Sequence, residues 1–148
     1  MEGTLLHFKN LGILAALAFA AMGSALGTGV AGMAAVGSWK KCFYQNKSAP
    51  FILIVFVGAP LTQTIYGMIV MNALAAAASK GQYLWDAGIF CGMAIGLSAW
   101  MQGKAGAAAA DALGETGKGF SNYLMVLGII ETVALFVMVF TLMAVGKL

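Results

Sequence analysis

The chain has 148 residues, 61% of them hydrophobic and only 9% charged, and its mean hydropathy is +0.92. A soluble domain of this size presents far more polar surface to water, so this is the composition of an integral membrane protein. The net charge of +3 is small and scattered, which argues against a nucleic-acid partner.

Four apolar runs follow one another, predicted as helices over roughly residues 5–38, 50–79, 86–113 and 118–146. Before the first, Lys9 precedes "LGILAALAFAA" in the manner of a signal peptide. The apolar pattern continues unbroken to Val36, which argues against cleavage. His7 has no ligand partner nearby and reads as an interfacial residue. Lys40, Lys41 and Lys47 mark a polar loop, and the second run ends at "SKGQ". The third begins after Asp86, turns Ala-rich, and carries Lys104 and Asp111 towards its end. The turn "GETGKG" leads into the fourth. The expected fold class is an all-α membrane protein. It has one domain, 1–148, built of four transmembrane helices as two fused antiparallel hairpins, 1–79 and 86–148. Cys42 and Cys91 fall in different segments without metal-type spacing and read as free thiols.

Lysines are denser in the first and third loops (Lys40, Lys41, Lys47, Lys118) than at the termini and middle loop (Lys9, Lys80, Lys147). The positive-inside rule then puts those two loops in the cytoplasm and both termini outside. Trp39, Tyr44, Tyr83, Trp85, Phe120 and Tyr123 lie near span ends, where aromatic belts are expected.

The two hairpins repeat. "SALGTGVAGMAA" from Ser24 aligns with "SAWMQGKAGAAA" from Ser98, matching Gly29 to Gly103 and Gly32 to Gly106. "QTIYGMIVM" from Gln63 aligns with "ETVALFVMV" from Glu131, so Gln63 holds in the first hairpin the place of Glu131 in the second. Gly23 and Gly27 form a GxxxG, and Gly88, Gly92 and Gly96 continue that spacing on the third helix. Such spacing lets helix backbones approach closely. With Gly29 and Gly103, these are the expected packing glycines, and their crowding on the odd-numbered helices suits the tight inner circle of a closed ring.

Glu131 is the only charge in "NYLMVLGIIETVALFVMVFTLMAV" and stands near its middle. A carboxylate at that depth costs about 2.5–3.5 kcal/mol on insertion scales, so an intramembrane Glu marks a group that handles a proton or an ion. Thr62, Gln63 and Tyr66 sit at spacings that share a helix face. Pro60 removes a backbone donor beside them and can free a nearby carbonyl. The third helix adds Gln102. A carboxylate, two amide oxygens, a hydroxyl and a carbonyl form an all-oxygen shell with one negative charge, suited to a monovalent cation. The extra oxygens favour Na⁺ over H⁺ as cargo, although the same groups can hydrogen-bond a protonated Glu131. Thr62 and Gln102 taken singly read as interhelical hydrogen bonders, Thr64 and Thr132 as bonded back to their own helices, and Asn72 receives no role.

These residues resemble the proteolipid c subunit (the K subunit) of V-type ATPases, especially the sodium-pumping bacterial kind. The likeness runs through "GSALGTGVAG", "PLTQTIYG", "AWMQGKAGAAA" and "IIETVALF". It implies a closed c-type rotor ring of identical protomers with one carboxylate each, in a bacterial plasma membrane. It implies Na⁺ bound by Thr62, Gln63, Gln102, Glu131 and the backbone carbonyl of Ala59, with Tyr66 hydrogen-bonding the Glu and locking it. The implied partners are a central-stalk subunit, membrane lipid and a stator (a/I-type) membrane subunit that supplies an Arg, since this chain contains none. Leu61 departs from the small residue that often follows the proline, and Ala59 replaces a larger one. Three rivals stand beside this reading: the same rotor carrying H⁺, a small four-helix cation-coupled drug antiporter, and a structural tetraspan. There is no P-loop, so ATP hydrolysis belongs to the assembled complex and no catalytic residue is assigned.

Overall fold

The computed structural model describes residues 2–146, with side chains from Asn10 to Gly146. The expectations for His7 and Lys9 concern side chains outside those described, and Lys147 lies outside the described residues. Helix α1 spans Glu2–Tyr44 and runs six residues beyond the expected end at 38. "SWKKCFY" contains no Gly or Pro to stop it, and the chain turns only where Asn46 takes φ 53° ahead of Pro50. The second span is broken. A 3₁₀ turn (Phe51–Leu53), α2 (Ile54–Gly58), a second 3₁₀ turn around Pro60 (Ala59–Leu61) and α3 (Thr62–Ser79) follow end to end. Helices α4 (Trp85–Thr116) and α5 (Phe120–Val145) are joined by a turn in which Gly117 and Gly119 hold φ of 66° and 91°.

Backbone contact between α1 and α4 dominates the packing. The two helices run parallel, with Gly12 against Gly88, Ala16 against Gly92, Gly23 against Gly96 and Gly27 against Gly103. A Cβ on Gly23, Gly88, Gly96 or Gly103 would collide with the facing backbone, which is why these positions hold glycine. Gly27 is closed in by the Ala99 carbonyl and Pro60, and Gly92 by the Ala15 carbonyl. Gly29 departs from the expectation: a Cβ there meets nothing within 4 Å. It lies on the far side of α1 from α4. Ser38 Oγ donates to the Ala110 carbonyl at 3.0 Å, and Lys41 Nζ, inside α1 rather than in a loop, reaches Asp111 and Glu115 at 2.9 Å each.

Helix α3 lies antiparallel on α1, with Gly67 against Ala16 and Ala20. Helix α5 lies antiparallel on α4, where Ser98 Oγ donates to the Ile130 carbonyl at 2.9 Å. The result is an inner pair, α1 and α4, backed by an outer pair, α3 and α5. One buried cluster gathers Ala16, Ala20, Val70, Leu74, Cys91, Ile95 and Ala134; another gathers Ala35, Leu53, Phe56, Ala109, Ala110, Leu113 and Leu127. Between the two lies a layer of polar side chains.

Among the described residues, three helical stretches are long and apolar enough to cross a membrane: Asn10–Tyr44, Phe51–Ser79 and Phe120–Val145. Four were expected. Helix α4 falls short because Gly88, Gly92, Gly96, Ser98, Trp100, Gln102 and Gly103 dilute its apolar stretch, which Asp86 and Lys104 bound. It packs along α1 from Gly88 to Gly114.

Candidate cation-binding site

The polar layer brings together every residue proposed for the site. It starts at the proline. Pro60 has no N–H, so the Phe56 carbonyl four residues earlier loses its helical donor and packs against Gly106. The backbone tightens into the 3₁₀ turn Ala59–Leu61 and re-enters the helix at Thr62. The Ala59 carbonyl is therefore not free, as the proline alone suggested. It accepts the Thr62 N–H, and the Thr62 hydroxyl lies 3.0 Å from it. The Thr62 hydroxyl has one proton for two acceptors, the Ala59 carbonyl and Gln63 Oε1, so the second lone pair of that carbonyl opens to the site when the proton turns to Gln63.

From Thr62 a chain of polar atoms crosses three helices. Thr62 Oγ1 stands 3.1 Å from Gln63 Oε1. Gln63 Nε2 donates to Gln102 Oε1 at 2.8 Å. Gln102 Nε2 donates to the Leu127 carbonyl at 3.0 Å and to Glu131 Oε2 at 3.3 Å. The Tyr66 hydroxyl donates to Glu131 Oε1 at 2.7 Å and closes the chain from the α3 side. Gln63 and Gln102 are both 0% exposed, so their amides exchange no hydrogen bonds with solvent and need these partners. Glu131 is half-buried, facing the cluster from a helix whose other side is largely exposed.

The arrangement holds four neutral oxygens of the kinds that hard monovalent cations accept, on Ala59, Thr62, Gln63 and Gln102, with one carboxylate at the edge. Gln102 turns its oxygen to Gln63 and its nitrogen to Glu131. In this orientation the amide nitrogen, not the oxygen, faces the carboxylate. In the geometry described, the same atoms form a satisfied hydrogen-bond network without a cation.

Two contacts had no forecast from residue types. Ser98 braces the Ile130 carbonyl, directly before Glu131, and Leu127 supplies the carbonyl that fixes Gln102. The repeat carried the signal for the first, since Ser98 aligns with Ser24. Ser24 Oγ itself is buried and is the one buried side-chain polar atom among the described residues with no hydrogen-bond partner. Thr132 bonds back to the Ile129 carbonyl at 2.7 Å, and Asn72 is exposed on α3.

Residues 86–144, which are α4 and almost all of α5, match the family model of the ATP synthase c subunit. The match covers the second hairpin, which contains Gln102 and Glu131. No curated protein matches the chain.

Proposed function

We propose that this chain is the rotor-ring subunit of a V-type ATPase of the sodium-pumping bacterial kind, and that it carries one Na⁺ per copy at Glu131. The observation that carries the reading is the continuous polar chain Thr62–Gln63–Gln102–Glu131–Tyr66 inside otherwise apolar helices. The likeness of residues 86–144 to the c subunit of ATP synthases supports it from an independent direction. A polar layer of this kind is costly in a membrane unless each member is satisfied, and a carboxylate more so.

In this reading the chain's residues divide the work. Thr62, Gln63, Gln102 and the Ala59 carbonyl replace the water shell of the ion. Glu131 supplies the neutralising charge, and Tyr66 holds the carboxylate turned inward. With its cargo the site is near neutral and can travel along the lipid belt. Meeting a cation from a stator membrane subunit, Glu131 exchanges partners and releases the ion. That cation is an Arg of the stator, because this chain has none. Copies assemble into a homo-oligomeric ring turned by a central-stalk subunit in a bacterial plasma membrane, with both termini outside. One carboxylate per two hairpins, with Gln63 in the other place, lowers the ions moved per turn and suits a pump working against a steep gradient.

One observation favours a second reading, the same rotor carrying H⁺. The Tyr66 hydroxyl lies 2.7 Å from Glu131 Oε1, where its oxygen can also accept from a protonated Glu131, and the protonated acid needs no cation to be neutral. Carbodiimide modification of Glu131 in membranes separates the two. Na⁺ as cargo slows the modification in a concentration-dependent manner at fixed pH. H⁺ as cargo leaves the rate governed by pH and insensitive to Na⁺. A Glu131 that resists modification under all conditions overturns both.

A further inference from the structure

The orphaned hydroxyl of Ser24 stands against the polar layer. Its place follows from the contacts one turn to either side. Gly67 of α3 packs on Leu17 and Ala20 of α1, and Pro60 packs on Gly27. Ser24 lies seven residues after Leu17, four after Ala20 and three before Gly27, so it shares their face of the helix. On the facing chain, Gln63 lies three residues after Pro60 and four before Gly67. The two helices run antiparallel, so Ser24 falls opposite Gln63. The two residues are 2% and 0% exposed.

The repeat sharpens the contrast. Ser24 aligns with Ser98, and Gln63 aligns with Glu131. Ser98 Oγ donates to the carbonyl of Ile130, directly before Glu131, at 2.9 Å. Ser24 Oγ makes no matching bond to the carbonyl of Thr62, directly before Gln63. The outer span of the first hairpin is interrupted by the 3₁₀ turn Ala59–Leu61 just ahead of Thr62, whereas α5 runs unbroken through Glu131. A buried hydroxyl left unpaired is costly, and a group of this kind beside a candidate site points to a partner that arrives with the ligand.

We propose that Ser24 is a positioning residue for the cation, accepting the side-chain N–H of Gln63 when Na⁺ enters. The inference rests on the Na⁺ reading of the site and deepens it. Without the ion, Gln63 Nε2 donates to Gln102 Oε1 at 2.8 Å, and Gln63 Oε1 lies 3.1 Å from Thr62 Oγ1. A cation held by these oxygens repels the hydrogens of Nε2, which point at the Gln102 oxygen it needs. The displaced N–H then requires another acceptor inside a layer closed to water. The Ser24 hydroxyl has two lone pairs, no partner among the described residues and a place on the facing helix. A proton on Glu131 leaves the Gln63–Gln102 bond as it is and has no need of Ser24. The hydroxyl therefore favours the metal cation over H⁺.

Ser24→Ala in the full chain tests this. The Na⁺ concentration giving half-protection of Glu131 from carbodiimide rises about tenfold at fixed pH. The rate of modification without Na⁺, followed against pH, stays that of the parent. The melting temperature in detergent without Na⁺ holds or rises, because alanine removes an unpaired hydroxyl, while the increment that Na⁺ adds shrinks. Ser38→Ala is the control: it removes a partnered hydroxyl of the same helix, lowers the melting temperature and leaves half-protection where it was. Half-protection unmoved in Ser24→Ala, with the parent protected, overturns the role of Ser24 and leaves the Na⁺ reading standing. A fall in the Na⁺-free melting temperature of Ser24→Ala marks the hydroxyl as structural and overturns it likewise. A parent that Na⁺ does not protect overturns both.

Discussion

Tyr66 and Glu131 meet across the two outer helices, the phenol of α3 donating to Oε1 of α5 at 2.7 Å. Gln102 reaches the other carboxylate oxygen from the inner pair at 3.3 Å. The acid is thus gripped from both layers of the fold, and each grip can be removed separately.

Tyr66→Phe removes one donor and keeps the ring that packs beside α5. A hydrogen bond to a charged group is worth about 1.5–3 kcal/mol, so the Na⁺ concentration giving half-protection of Glu131 from carbodiimide rises by about tenfold or more. Assembly is unchanged, as read by native gel mobility.

Glu131→Gln keeps the shape and leaves an oxygen to accept from Tyr66. The expected outcome is a normal oligomer with ion-coupled turnover of the assembled motor abolished. Turnover at the parental rate, measured in reconstituted vesicles, would falsify the assignment of the carrier.

Gln102→Leu leaves the Gln63 amide without its acceptor inside a layer closed to water. An orphaned buried donor costs about 1–3 kcal/mol. Gln63→Leu with Gln102→Leu strands fewer groups, so the pair is less destabilising than the two single losses added together. Thermal unfolding in detergent of the four members of the cycle measures the difference.

The glycines separate by where they face. Gly96→Ala drives a Cβ into the Phe19 carbonyl and costs about 1–3 kcal/mol through overpacking. Gly128 on α5 meets nothing within 4 Å, so Gly128→Ala gains helix propensity, about 0.5–1 kcal/mol, with no clash. The two substitutions shift the detergent melting temperature in opposite directions.

Much of this molecule is legible in its residues. Apolar runs in water have one use, so the membrane class and the helical hairpins follow from hydropathy, and glycine spacing identifies the tight helices. A single acid in an apolar helix announces itself by its cost. The duplication places Gln63 against Glu131 before any coordinates are known. The misjudged points are those where local pattern and packing disagree. Helix α1 runs through "SWKKCFY" because nothing there breaks it, and Lys41 finds its acids only once α4 lies alongside. Helix α4 has lower hydropathy than a span usually shows, since its glycines serve contact with α1 and its polar side chains serve the site.

By itself, the sequence determined which atoms are available: one carboxylate, two amides, a hydroxyl and a proline-disturbed turn, spread over three helices. Only the tertiary structure decided how those atoms are engaged. Gln102 turns its nitrogen to the acid, Ser98 and Leu127 brace the site, and Gly29 faces outward although its repeat partner Gly103 is buried. Side-chain chemistry is a property of each residue, whereas the direction of an amide or the neighbour of a glycine depends on which helix faces it.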